Sequence, residues 1–228
     1  MTLAREFSIP PLVAPRAFIF DWDNTLVDTW PVIHSALNSL MREMNHPEWT
    51  MEQTRANIKK SMRDAFPQMF GDRWEEASAI YQKAYRAIHL QDLRPLPDAE
   101  ALLKMLVDRG VFVAAVSNKR GDNLRKEIAH LGWTHYFKTI VGSGDAAIDK
   151  PDPAPVTMAL ADSGFEAGAS VWFVGDTTID LECAQNTGCT PILYGDVESQ
   201  GNMYEGFAIS HHARDHAGLI AFINEWLS

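Results

Sequence analysis

Residues 17–28 read Ala17-Phe18-Ile19-Phe20-Asp21-Trp22-Asp23-Asn24-Thr25-Leu26-Val27-Asp28. The apolar run of Ala17 to Phe20 predicts a short buried strand, bounded upstream by Pro15 and Arg16. It ends abruptly at Asp21, with Asp23 two residues on. Two carboxylates that close cannot both lose water unless a cation or a shared proton relieves them. In open parallel sheets, chemistry gathers at the carboxyl ends of strands, where these acids fall. A polar loop or helix cap suited to Asn24 and Thr25 is the plainer reading of the stretch alone.

Downstream, the pattern alternates. Apolar runs at 111–116, 139–141, 170–174 and 191–194 predict strands, the last being the final core strand. Between them, helical spacing covers residues following Asp98 as a cap, then Leu124 to Leu131, 154–163 and 179–186, with 217–227 closing the chain. Strand–helix alternation predicts an α/β fold, a doubly wound parallel sheet. Ser117 and Asn118 close the second strand, Lys150 follows the third, and Asp176 closes the fourth. Four strand ends thus bring polar groups to one sheet edge.

Residues 28–95 differ: they carry helical spacing and no strand signal. Trp30, Ile33, Leu37, Leu40, Met41 and Met44 share one face, and Thr50 with Gln53 forms a capping-box signature. The next helix is expected to carry Ile58, Met62 and Phe66 as its apolar ridge, with Arg55, Lys59 and Arg63 beside it and a break at Pro67. A third runs from Asp72 to Ile88. The expected organisation is therefore a core of 1–27 and 96–228 with a small all-helical cap domain, 28–95, inserted after the first strand.

At 228 residues, 46% apolar and 22% charged, the chain has ordinary globular composition. Its formal charge of −10 argues against a nucleic-acid or anionic-membrane surface. The N-terminal stretch has no apolar run typical of a signal peptide, and no segment approaches a membrane span, so a cytoplasmic location is expected. Cys183 and Cys189 imply neither a disulfide framework nor a zinc knuckle. His211, His212 and His216 are read as a surface approach to the last helix rather than a metal cluster, and His34 as a helix-surface or cap-contact residue.

The ordered set F-D-W-D-N-T-L, the serine of V-S-N-K, K-P-D-P and G-D-T-T-I-D resembles the four motifs of the haloacid dehalogenase (HAD) superfamily of phosphohydrolases. The helical insertion is similar to the cap of the branch containing phosphoglycolate phosphatases, β-phosphoglucomutases and 2-haloacid dehalogenases. The resemblance implies a phosphatase working through an aspartyl-phosphate, with Asp21 as nucleophile and Asp23 as general acid and base. It implies Mg²⁺ held by Asp21, the Asp23 carbonyl and Asp176, with Asp180 behind them. Lys150, Ser117 and Asn118 would hold the phosphoryl oxygens.

The implied substrate is a small phosphorylated metabolite, 2-phosphoglycolate above others, and the implied assembly a monomer or homodimer. Arg55, Lys59, Lys60 and Arg63 are candidates for reading a second substrate anion, against a solvated helix face. A sugar-phosphate mutase, a phosphonate hydrolase using Lys59 or Lys60, and an inactive phosphate-binding module remain alternatives. A dehalogenase is disfavoured, because displacing halide needs no acid such as Asp23. Trp22 and Asn24 depart from the smaller apolar residue and the glycine expected there; asparagine accepts tight-turn dihedrals.

Overall fold

The computed structural model describes residues 12–58 and 62–227. Six parallel strands form one sheet in the order β5-β4-β1-β6-β7-β8. These are β1 (Ala17–Phe20), β4 (Phe112–Arg120), β5 (Thr139–Ser143), β6 (Val171–Gly175), β7 (Thr190–Tyr194) and β8 (His211–Ala213). Every residue of β1 is fully buried between β4 and β6, so it reads as continuously apolar rather than alternating. Its side chains divide by parity: Phe18 and Phe20 enter one apolar cluster, Ala17 and Ile19 the cluster on the opposite face. Helices cover both faces: α5 (Ala99–Asp108), α6 (Gly121–His130), α7 (Ala154–Leu160), α8 (Thr178–Thr187) and α9 (His216–Asn224). Chain direction across the sheet reverses around β1, the crevice where such folds place ligands.

Between β1 and β4 lie α1 (Trp30–Glu43), α2 (Met51–Asn57), α3 (Met62–Phe70) and α4 (Trp74–Ile88). Of these, α1, α3 and α4 share an apolar cluster of their own, centred on Leu37, Leu40, Phe66 and Tyr81. The Thr50–Gln53 capping box opens α2 as expected.

Several expectations need correction. The helix predicted to run past Ile58 stops at Asn57 and the next begins by Met62, so Arg55 and Arg63 do not lie on one continuous ridge. Pro67 lies inside α3 instead of breaking it. The insertion is not wholly helical: β2 (Val27–Asp28) and β3 (Arg94–Pro95) pair antiparallel across its two ends. β8 adds a strand beyond the expected last one, and it contains His211 and His212; His216 is fully buried in α9. Asp98 precedes α5 in a left-handed conformation without a side-chain cap bond. β4 continues through Ser117 and Asn118 to Arg120, with a shift of register after Val116.

Candidate active site

The β1 strand ends pointing into the crevice. The Asp21 amide still pairs with the Val174 carbonyl of β6, which fixes the Asp21 side chain at the strand mouth. Asn24 then turns the chain with φ of 59°, and its side-chain oxygen accepts from the Thr29 amide at the start of α1. Thus the same short loop sets the acids and launches the helical insertion.

Lys150 connects the strand ends. Its ammonium donates to Asp180 Oδ1 at 2.7 Å and stands 2.8 Å from Asp21 Oδ1. The second distance is that of a buried ion pair, so one ammonium holds both carboxylates. Asn118 clamps the Lys150 backbone with both ends of its amide, each at 2.9 Å. The Asn118 side chain therefore works on the position of Lys150. Ser117 is buried and lines the pocket with Asn118.

Asp180 is equally constrained. Its Oδ2 accepts from the Thr177 amide and hydroxyl, closing the capping box of α8. Gly175 allows this approach, since a Cβ there would lie 2.3 Å from Asp180 Cγ. Asp176 accepts from the Thr25 hydroxyl at 3.0 Å, and its carbonyl accepts from Tyr204.

Oxygen atoms of Asp21, Asp176 and Asp180 lie within 4.8 Å of one another. Burial pushes the Asp21 carboxyl up to about 6 despite Lys150, and the charges of Asp180 and Asp23 push the same way. Burial, then Asp180 and Asp21, holds Asp176 well above the carboxylate range. Burial opposes the charge on Lys150, but Asp180 and Asp21 outweigh it and keep the ammonium protonated. Three clustered carboxylates, two of them paired with one ammonium, make a donor set suited to a hard, oxygen-seeking cation. Asp180 is occupied by Lys150 and Thr177, so Asp21 and Asp176 are the carboxylates with capacity for one.

Asp23 faces the other side of the pocket, where its Oδ1 accepts from Lys119 Nζ. That ammonium also donates to Glu127 of α6 at 2.6 Å. The Lys119 and Glu127 roles were not foreseen: Lys119 adjoins Ser117-Asn118 but carries no pattern of its own, and Glu127 sits in an ordinary helical stretch. The pocket between Asp23 and the insertion is walled by Trp30, Ile33, Ile58, Tyr81 and Tyr85. Arg55 is exposed, its guanidinium over the Trp30 ring at 5.6 Å, and is absent from the lining. The lining cations among the described residues are Lys119, Arg120 and Lys150. Lys59, Lys60 and the Arg63 side chain lie outside the described residues.

Residues 18–194 match the family model for haloacid dehalogenase-like hydrolases. The chain belongs to that family. It is 29% identical over 179 residues to a phosphoglycolate phosphatase from Aquifex aeolicus, covering 78% of this chain and 84% of the relative. It is 25% identical to a Clostridium perfringens relative with the pyrophosphatase name PpaX, over 76% and 80% of the two chains. The crystal structure of a HAD-superfamily hydrolase from Ehrlichia chaffeensis superposes with a TM-score of 0.67 at 30% identity, covering 96% of this chain and 100% of that one. Among the described residues, no helix is long and apolar enough to cross a membrane.

Proposed function

We propose that this HAD-type phosphatase hydrolyses a small phosphorylated metabolite through an aspartyl-phosphate on Asp21, with 2-phosphoglycolate the first substrate to test. The observation that carries the reading is the convergence of Asp21 and Asp176, from the ends of β1 and β6, and Lys150, from the loop after β5, onto one point at the sheet edge. A curated relative named phosphoglycolate phosphatase supports the substrate.

Asp21, the Asp23 carbonyl and Asp176 would hold Mg²⁺, whose contribution when bound is to offset charge on the carboxylates and phosphoryl oxygens. Asp21 attacks phosphorus in line, breaking the bond to the leaving oxygen. Asp23 gives that oxygen its proton, then takes one from the water that cleaves the acyl phosphate. Lys150, aimed by Asp180 and Asn118, spreads positive charge over nucleophile and phosphoryl oxygens. Ser117 supplies a hydroxyl to those oxygens. The helical insertion acts as a lid, residues 28–95, and the β2–β3 pair joins its two ends where it would hinge.

A screen of phosphorylated metabolites for released phosphate tests the reading, 2-phosphoglycolate and pyrophosphate included. Release that is lost on chelation and restored by Mg²⁺ is expected, with inhibition by Ca²⁺, which favours more ligands in looser geometry. Full turnover in chelator, or transfer to a second position of the substrate without free phosphate, would overturn it.

A further inference from the structure

Glu127 is a fully buried carboxylate behind the pocket wall, absent from the pocket lining. Four side chains converge on it. Trp22 Nε1 and Lys119 Nζ donate to Oε2 at 2.7 and 2.6 Å, and the Tyr85 hydroxyl and His89 Nδ1 each donate to Oε1 at 2.7 Å. The donors come from the β1 loop, β4, and α4 with its C-capping residue His89, three segments with no local relation in sequence. A buried carboxylate is costly unless it is paired and saturated with donors, and this one is both. Its ionic partner, Lys119, is itself almost fully buried and reaches Asp23 with the same ammonium.

We propose that Glu127 is a positioning residue: through Lys119 it fixes the carboxyl of Asp23 for proton transfer to the leaving oxygen. The inference rests on the reading of Asp23 as general acid. Lys119 occupies Asp23 Oδ1, which leaves the second oxygen for the proton and orients the carboxyl plane. Without Glu127, Lys119 would be a buried cation with Asp23 as its one ionic partner among the described residues, free to swing toward any anion in the pocket. Trp22 acquires a function by the same route. Its indole packs edge-on against Trp133 and Phe137, and its N–H anchors Glu127, so the residue between the two aspartates holds the anchor of the second one. Tyr85 and His89 belong to the inserted block, so its seating on α6 completes the shell around Glu127.

The test compares kcat/KM for p-nitrophenyl phosphate and glycerol 2-phosphate, both with uncharged tails, so that a lost contact to a substrate anion cannot mimic a lost acid. The parameter reports steps through leaving-group departure, where an alkoxide needs the proton and a nitrophenolate does not. Glu127→Gln is expected to lower the alkyl value roughly tenfold or more while moving the aryl value less than about threefold. Lys119→Met added to Asp23→Asn should cost the alkyl substrate nothing further, as residues acting through one group do. If Glu127→Gln fails to fold, Trp22→Phe, which removes a single donor, must shift the aryl-to-alkyl ratio in the same direction. Folded variants with equal losses on both substrates would overturn the proposal. Asp23→Asn separates the two failures: equal losses there remove the acid itself, whereas a selective loss there with a non-selective Glu127→Gln removes only the positioning role.

Discussion

Asp21, Asp176 and Asp180 illustrate how a fold can make acids converge without collapsing. Each has a distinct restraint: strand pairing for Asp21, the Thr25 hydroxyl for Asp176, and Thr177 with Lys150 for Asp180. Glu127 shows the opposite balance. Burial pushes its carboxyl up, but Lys119 and the hydrogen bonds from His89, Lys119 and Tyr85 outweigh burial and hold it at about 2, against an ordinary 4.5. A folded value below the unfolded one means that the stabilisation is complete above about 4.5 and is lost as pH falls toward about 2. The shift corresponds to roughly 3 kcal/mol. Thermal melting across that acid window should therefore show Glu127→Gln well below the wild type at neutral pH, with the gap narrowing as the medium is acidified. A gap independent of pH would show that the carboxylate's charge is not what stabilises the fold.

Strand ends carry most of the site, and they were the most legible feature of the sequence. An apolar run that stops at Asp21 or at Asp176 announces both the strand and its chemical edge, because buried strands are uniformly apolar; at Ser117 the apolar run stops but β4 runs on to Arg120. The missed pieces lacked that contrast. β2 and β3 have two residues each, too few for any period, and Pro95 reads as a breaker. β8 is His-His-Ala, an edge strand with no apolar run, steadied instead by His211 stacking on Phe222. The interruption after Asn57 was masked because Ile58, Met62 and Phe66 keep helical spacing across it. Glu127 could not be found locally, since its partners lie between 8 and 105 residues away. Trp22, unexplained by the motif, is explained by that distant carboxylate. The join between β6 and α8 is a further point of sensitivity. Gly175→Ala would drive a methyl into Asp180 and displace the anchor of Lys150. A loss in kcat/KM of roughly a hundredfold is expected, of the size that ångström misplacement produces, with little change in KM. Wild-type turnover in a folded Gly175→Ala protein would contradict the anchoring role of Asp180.

Taken together, the sheet and the inserted helices enclose one pocket whose floor is the Asp21–Lys150–Asp176 group and whose wall is Asp23, Lys119 and the face of α4. The seam between α4 and α6 is polar as well as apolar: Gln82 accepts from Asn123, and Arg86 pairs with Asp122 beside the Glu127 cluster. Across this seam Tyr85 of α4 and His89, the residue that follows it, reach Glu127. The proposed mechanism puts a covalent step at one oxygen of Asp21, and that step can be observed. Asp23→Asn leaves the nucleophile intact and removes the base for acyl-phosphate breakdown, so with Mg²⁺ and p-nitrophenyl phosphate the intermediate should accumulate. Acid quenching followed by peptide mapping should find one hydroxylamine-labile phosphoryl group on the peptide bearing Asp21, formed with a burst of nitrophenolate and absent from Asp21→Asn. A phosphoryl group on another residue, or turnover by the Asp21→Asn protein at the wild-type rate, would contradict the account.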